Sequence, residues 1–148
     1  MSHTLRPLRR EDLSRVEAIY RQHTKEQAPA DWLSVAHQAI DAAGDAPLAW
    51  VAVAARGRVV GYVVGEVRSW EFGSASAGWI IGIGVDVEHD GEGAGRDLLA
   101  RLMESLAQRG TRTLRTMVRR DDVRVLRFFR SAGFATGPYT ELEMEVGS

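Results

Sequence analysis

A glycine-rich segment between the most apolar stretch of the chain and an amphipathic one constrains the fold most strongly. The apolar stretch, Trp79 to Val87, has the length and composition of a buried central strand. The residues between the two stretches are Gly91, Glu92, Gly93, Ala94, Gly95 and Arg96. The apolar residues that follow at helical spacing are Leu98, Leu99, Leu102, Met103 and Leu106. Because the first amides of a helix are unpaired and glycines let the backbone curl around a ligand, the segment predicts an anion-binding turn.

Three phosphate-binding arrangements compete for this turn. A P-loop needs a lysine directly after its last glycine, but Arg96 stands there and no lysine follows Lys25. A dinucleotide fingerprint needs a third glycine at the position of Arg96, so it fails as well. A Gly-x-Gly at a helix start after a central strand is the third arrangement, and Gly93-Ala94-Gly95 fits it.

Hydrophobic periodicity and turn residues predict the remaining elements. The predicted strands are Leu5–Leu8, Leu48–Ala55, Val59–Arg68, Trp79–Val87, Thr113–Val118 and Leu142–Val146. The predicted helices are Glu11–His23, a second one capped by Asp31 and stopped at Gly44, the helix after the glycines, and one capped by Asp121 or Asp122 and closed by Gly133. Strands 48–55 and 59–68, joined by a tight turn, are predicted to form a hairpin.

Length and composition narrow the class of protein. The 148 residues fit one domain, 1–148, with 45% hydrophobic and 26% charged residues. There are no cysteines, and the four histidines lack the spacing of a helical zinc site, so we expect no metal. The net charge of −1 gives no general attraction to nucleic acid. No apolar run reaches the ~20 residues of a membrane span, and the first residues lack a signal-peptide core, so we expect a cytoplasmic protein without membrane contact.

Lys25 is the only lysine among 19 basic residues, and the other 18 are arginines. Whatever the origin of this bias, it limits how the chain can recognise phosphate. Arginine forks or backbone amides must do so, because a lysine ammonium is missing from the second half of the chain.

The glycine turn resembles the central motif of the GCN5-related N-acetyltransferase (GNAT) family, Arg/Gln-x-x-Gly-x-Gly/Ala. Gly93 and Gly95 match its two glycines, while Asp90 stands where the family usually has arginine or glutamine. A second match follows the family's Asn-x-x-Ala-x-x-x-Tyr-x-x-x-Gly-Phe pattern. Its frame here is Asp122, Val125, Phe129, Gly133 and Phe134. The resemblance covers roughly residues 58 to 146.

The resemblance implies an α/β (α+β) fold with a mixed, mostly antiparallel central sheet and helices on both faces. It implies acetyl-CoA as the acyl donor and an amine as the acceptor, with a homodimer as the assembly suggested by analogy. The glycine turn would bind the pyrophosphate, and the backbone of Ile83, Gly84 and Val85 would contact the pantetheine arm. Asp122 and Phe129 stand where relatives have a cofactor-binding asparagine and a tyrosine general acid. Gly82 and Gly84 indicate either close approach of a ligand or packing under a bulky neighbour such as Trp79.

Acyl transfer to an amine needs a base, because an alkyl amine with a pKa near ~10.4 is mostly protonated at neutral pH. The candidate bases are Glu66, Asp86 and Glu88. Glu66 is preferred because it shares a strand face with Tyr62 and Val64, where burial would raise the pKa of a carboxyl. Since phenylalanine cannot donate a proton, Tyr139 is the candidate acid. Four aromatic residues are predicted to line the acceptor site: Tyr20, Trp32, Trp70 and Phe72.

Two other functions stay open at this point. The missing tyrosine at position 129 favours a non-catalytic acyl-CoA-binding sensor or interaction module on the same fold. A nucleotide-binding domain of another type would use the same anion-binding turn.

Overall fold

The computed structural model describes residues 3–24, 30–42, 44, 46–69 and 71–147. The chain divides into two compact units, Met1–Thr116 and Met117–Ser148, and each is described by itself. In the first unit the strands are β1 (Thr4–Pro7), β2 (Ala49–Val53), β3 (Val59–Arg68), β4 (Ala77–Val85) and β5 (Leu114–Arg115). Its helices are α1 (Leu13–Thr24), α2 (Ala30–Asp41) and α3 (Ala94–Gln108). The second unit contains α4 (Val123–Ser131).

The five strands form one sheet in the order β1-β2-β3-β4-β5. The pairs β1–β2, β2–β3 and β3–β4 are antiparallel, and the pair β4–β5 is parallel. This sheet confirms the predicted mixed, mostly antiparallel fold. The predicted hairpin of β2 and β3 is also confirmed, with a short 3₁₀ turn, Ala55–Gly57, at its tip.

Helices pack on both faces of the sheet, and glycines let them come close. On one face, a Cβ atom at Gly61, Gly65 or Gly78 would lie 2.7–3.1 Å from Leu98, Leu102 or Leu106 of α3. These leucines are one helical turn apart, so α3 packs flat on β3 and β4. On the other face, a Cβ atom at Gly82 would lie 2.8 Å from the indole of Trp32 on α2. The buried core therefore lies on both sides of β3 and β4.

The ladder between β4 and β5 is short, and a bulge lies beside it. Only Gly78 with Leu114 and Trp79 with Arg115 are paired, so β4 continues to Val85 without a neighbour from β5. On the other side, the register between β3 and β4 shifts between Val64 and Gly65 and leaves Ile81 as the extra residue. β4 and β5 thus separate after Trp79.

Several predicted boundaries were wrong. Asp31 lies inside α2, which begins at Ala30, so it is not the N-cap, and α2 ends at Asp41 before Gly44. β4 begins two residues earlier than predicted and ends at Val85, because Val87–His89 forms a 3₁₀ turn.

The predicted strand Leu142–Val146 was also wrong. In the second unit these residues form no strand, and the side chains of Leu142, Met144 and Val146 are 87–90% exposed. Alternation of apolar and acidic residues makes one face apolar, but a strand also needs a partner for its backbone hydrogen bonds. None of the described residues pairs with this segment.

Candidate functional site

The glycine turn connects β4 to α3 through two residues in the left-handed region. Gly91 has φ 80° and Gly93, the N-cap of α3, has φ 86°. A Cβ atom at either position would meet no atom within 4 Å, so the backbone angle and not the space requires glycine. The first helical hydrogen bond runs from the amide of Asp97 to the carbonyl of Gly93, at 3.0 Å.

The start of α3 has features that favour the binding of an anion. Because Gly93 has no side chain, no side-chain cap covers the amides of Ala94, Gly95 and Arg96. The helix is 15 residues long, so its dipole adds positive potential at this end. Gly91 and Gly93 are exposed, which leaves the turn open to a ligand.

The strand before the turn has one side that no strand covers. The amide of Asp86 donates to Val60 on β3, at 2.8 Å. Because backbone groups alternate in direction along a strand, residues 83 and 85 point to the opposite side, where β5 has diverged. His23 lies 2.8 Å from the carbonyl of Val85, and the indole of Trp32 donates to the carbonyl of Ile81 at 3.3 Å. The gap between β4 and β5 therefore exposes the backbone of Ile83.

The two glycines within this part of β4 are required by packing. A Cβ atom at Gly84 would lie 2.8 Å from the ring of Tyr62, and one at Gly82 would meet Trp32 at the same distance. Aromatic rings therefore fill the space over both glycines. Of the two alternatives left open by the sequence, packing applies, and the bulky neighbours are Trp32 and Tyr62 instead of Trp79. The backbone of Gly84 faces β3, where it pairs with Tyr62.

Three of the aromatic residues form a continuous cluster on the α1 and α2 side of the sheet. The ring centroids of Tyr20 and Trp32 are 5.4 Å apart, and those of Trp32 and Tyr62 are 5.8 Å apart. Trp32 and Tyr62 are buried, whereas Tyr20 is half-buried and reaches the surface. Burial raises the pKa of the Tyr62 hydroxyl well above its ordinary value.

The three candidate bases have different surroundings. Glu66 is 27% exposed and accepts a 2.7 Å hydrogen bond from Arg68, so the burial expected from the sequence is absent. Glu88 is exposed in the turn after β4. Asp86 is only 2% exposed and is paired with Arg15. Burial alone would raise the pKa of Asp86, but hydrogen bonds from the Glu88 amide and from Arg15 hold it below its ordinary value. Asp86 is therefore a poor proton acceptor.

Arg15 is a functional candidate that the sequence reasoning missed. It lies one turn before Ile19, a buried residue of α1, so helical spacing places both on the side that faces the sheet. This spacing is the signal that would have found it. Its partner Asp86 lies 71 residues further on, and no local pattern predicts that pairing.

The loop between β3 and β4 presents one of the predicted acceptor residues to solvent. Phe72 is 76% exposed and has φ 53°, a left-handed angle that is rare for a bulky side chain. Its neighbour Glu71 accepts a 2.9 Å hydrogen bond from the indole of Trp79 and so anchors the loop. Trp70 lies outside the described residues.

The second unit contains three of the predicted site residues. Asp122 caps α4, as predicted for one of the two aspartates, by accepting a 3.2 Å bond from the amide of Val125. Phe129 is 5% exposed, and its ring lies 5.1 Å from each of Phe128 and Phe134. Tyr139 is 48% exposed. Position 129 therefore carries an aromatic core residue without a hydroxyl.

An uncapped helix start after two left-handed glycines thus lies beside a strand that has parted from its parallel neighbour, in a mixed sheet with helices on both faces. The sequence model of the acetyltransferase (GNAT) family matches residues 10–134, which span parts of both units. The chain belongs to this family. No curated protein matches the sequence at a significant level.

Solved structures of acetyltransferases share the fold at low sequence identity. The aminoglycoside N-acetyltransferase AAC(6')-Iy, in complex with the bisubstrate analog CoA-S-monomethyl-acetylneamine, has a TM-score of 0.79 and 16% identity, with 99% of this chain and 100% of that chain covered. AAC(6')-Ih from Acinetobacter baumannii has a TM-score of 0.77 and 15% identity over the same shares. Ribosomal-protein-alanine N-acetyltransferase from Brucella melitensis biovar Abortus 2308 has a TM-score of 0.73 and 18% identity, again over 99% and 100%.

In the described part of the chain, none of the helices combines the length and the apolar character that crossing a membrane requires. Within the same residues, no group of three or more His, Asp or Glu side chains is arranged to hold a metal ion.

Proposed function

We propose that the protein transfers an acetyl group from acetyl-CoA to a primary amine by direct attack. The observation that carries the proposal is the uncapped start of α3, with Gly91 and Gly93 in the left-handed region, directly after the open side of β4. The amides of the turn would bind the pyrophosphate, and the backbone of Ile83 and Val85 would hold the pantetheine arm. Backbone amides would bind the phosphates with little help from side chains, because Asp90 replaces the family's arginine or glutamine. The neighbouring Glu92, Ala94, Gly95 and Arg96 complete the turn.

The reaction requires movement of two protons. The amine nitrogen attacks the thioester carbon and forms a tetrahedral intermediate, whose oxyanion needs a backbone N–H donor. The C–S bond then breaks, the amide forms, and CoA leaves as a thiolate that takes up a proton, since a simple thiol has a pKa of about 8.5. We assign removal of the amine proton to Glu66, acting through water, because Asp86 is buried and engaged by Arg15. Tyr139 is the proposed donor to the thiolate.

The acceptor is proposed to bind beside the aromatic cluster of Tyr20 and Trp32, with Phe72 and Trp70 on the loop between β3 and β4. The relatives named above act on an aminoglycoside or on a ribosomal-protein alanine. A suitable amine panel therefore contains an aminoglycoside, a peptide with an N-terminal alanine, a lysine peptide and a polyamine. We place the reaction in the cytoplasm and propose a homodimer as the working assembly.

Two measurements test the proposal. A thermal shift with acetyl-CoA tests donor binding, and a ligand at 100 times its Kd should stabilise the protein by about 2.7 kcal/mol. Release of free thiol, followed with DTNB across the amine panel, tests turnover. The assay has no protein background, because the chain contains no cysteine. Absence of stabilisation at saturating acetyl-CoA would contradict the proposal.

A second function is favoured by one observation, the buried Phe129 at the position of the family's tyrosine. A non-catalytic acyl-CoA-binding module would bind acetyl-CoA tightly and release no thiol with any amine. The same pair of measurements separates the two functions, because only the enzyme gives both results.

A further inference from the structure

A buried carboxylate lies between β4 and the glycine turn and takes no part in the chemistry assigned above. Asp86 directly follows β4 and is 2% exposed. A buried charge of this kind is costly unless it is paired and hydrogen-bonded, so its partners indicate what it is for. Those partners come from three different elements.

The first partners are on α1 and at the start of β3. The guanidinium of Arg15 bonds to the Asp86 carboxylate and also donates to the carbonyl of Val59, at 2.9 Å. Arg58 lies 3.9 Å from the same carboxylate and is 59% exposed. One arginine thus bridges the start of β3 and the exit of β4, and fixes both against α1.

The second set of contacts fixes the 3₁₀ turn Val87–His89. The carboxylate accepts from the amide of Glu88 at 3.0 Å, and the backbone carbonyl of Asp86 accepts from the amide of His89 at 2.8 Å. The amide of Val87 donates to the side chain of Gln22 at 3.0 Å. All three amides of this turn are therefore paired before the chain reaches Gly91.

Arg15 and Gln22 are seven residues apart on α1, so they lie on the same side of the helix. Together they hold the exit of β4 from the α1 side, while α3 begins on the other side of the glycine turn. The first amides of α3, which no side chain caps, come after this paired segment.

We propose that Asp86, with Arg15 and Gln22, forms a positioning network that aims the glycine turn at the pyrophosphate of the acyl donor. These residues act through the backbone of residues 87–89 and do not touch the reacting atoms. The inference rests on the proposed function, since it assumes that the turn binds the donor.

Two acyl donors distinguish positioning from a general structural role. Acetyl-CoA carries the pyrophosphate, whereas S-acetylpantetheine has the same thioester and arm without it.

Three variants are compared with both donors. In Asp86→Asn, the side-chain oxygen can still cap the turn, but the charge that pairs with Arg15 is lost. In Gln22→Ala, an exposed residue is changed, and its bonds to the Val87 amide and to the Asp86 carboxylate are lost while the Arg15–Asp86 pair stays in place. Arg21→Ala, on the same turn of α1, is the matched control.

We expect the KM for acetyl-CoA and the Kd for CoA to rise by about tenfold in Gln22→Ala and up to about 100-fold in Asp86→Asn, because a small displacement of a binding group is costly. The kcat/KM for S-acetylpantetheine should stay unchanged in both, and Arg21→Ala should behave as wild type with both donors. Equal losses with both donors, or no loss with either, would overturn the inference. If the wild-type protein itself fails to bind CoA, the proposed function fails first. If it binds and Gln22→Ala binds equally well, only the positioning network is wrong.

Discussion

Glu66 lies on β3 and Asp86 directly follows β4, and the surroundings of the two carboxylates suit them to different tasks. Glu66 is partly exposed and has one arginine partner, so water can reach it. Asp86 is enclosed, and its carboxylate accepts hydrogen bonds from Arg15, from Gln22 and from the amide of Glu88. A carboxylate that already accepts several hydrogen bonds gains little from a proton, so Asp86 suits support of the backbone and Glu66 suits proton transfer.

Glu66→Gln tests the assignment of the base. We expect kcat to fall by roughly 10²–10⁴-fold, the range typical of a lost general base, while the KM for acetyl-CoA stays near its wild-type value. Steady-state thiol release at saturating donor measures both. Glu104→Gln is the control, because Glu104 is 65% exposed on α3, which packs on the opposite face of the sheet. A Glu66→Gln enzyme with unchanged kcat would exclude Glu66 as the base.

Phe72 allows binding and stability to be tested at one position. Replacing it by glycine removes the strain of a left-handed φ, which costs on the order of 1 kcal/mol, and removes little buried surface because the ring is 76% exposed. We expect Phe72→Gly to be at least as stable as wild type in urea unfolding, yet to have a higher KM for the amine. An unchanged amine KM would show that the loop does not line the acceptor site.

At the scale of single elements, β3 was predicted with its observed bounds, Val59–Arg68, because a tight turn and a long apolar run define both ends. The glycine turn was also predicted, since left-handed glycines have a direct signature in the sequence. The ends of α2 were wrong, because capping residues are common and packing decides which one is used. The short ladder of β5 could not be predicted, because it depends on where two distant strands separate.

The aromatic cluster shows a similar limit at the site. Tyr20 and Trp32 were predicted as site residues from the sequence. Tyr62 completes the cluster because its ring lies over Gly84, its partner across the β3–β4 pair, and this packing has no signal in the sequence. A sequence pattern indicates that a glycine is required in a strand. It does not indicate whether a ligand or a neighbouring ring occupies the space.

Gly93→Ala tests the geometry of the turn before α3. At φ 86° an alanine is strained by about 1–2 kcal/mol, although no atom would contact its Cβ. We expect a comparable loss of unfolding free energy and weaker CoA binding, measured by urea unfolding and by calorimetric titration. Gly137→Ala is the control, since its Cβ also meets no atom and its φ is not left-handed. Equal effects of the two substitutions would contradict a requirement for the left-handed angle.

At the scale of the whole molecule, two buried carboxylates connect stability to pH. Asp12 is 5% exposed; its burial alone would raise its pKa, but two hydrogen bonds from Arg6, at 2.7 and 2.9 Å, and the amide of Arg9 lower it. Asp86 has a lowered pKa as well. The unfolded chain then binds more protons than the folded one at acid pH, so stability rises with pH in that range.

The predicted consequence is a loss of stability as the pH falls through about 4 and below, where the carboxyls of the unfolded chain titrate. Asp12→Asn should lower the free energy of unfolding by about 3 kcal/mol at pH 7, because Arg6 loses its buried charged partner. The same substitution should make the free energy of unfolding depend less on pH. Urea unfolding at several pH values between neutral and acid measures both effects. If the free energy of unfolding of the variant changed with pH as steeply as that of the wild type, the role of Asp12 would be contradicted.

Both edge strands of the sheet in the first unit are short. β1 has four residues and ends at Pro7, which has no N–H to donate, and β5 has two. A strand from another molecule therefore finds few consecutive backbone groups to pair with on β1 or on β5, and short edge strands are one of the ways in which proteins avoid aggregation. The divergence of β5 has the opposite effect on β4, whose residues after Trp79 have no strand on one side, and there His23 and Trp32 bond to the carbonyls of Val85 and Ile81 and so protect part of this edge.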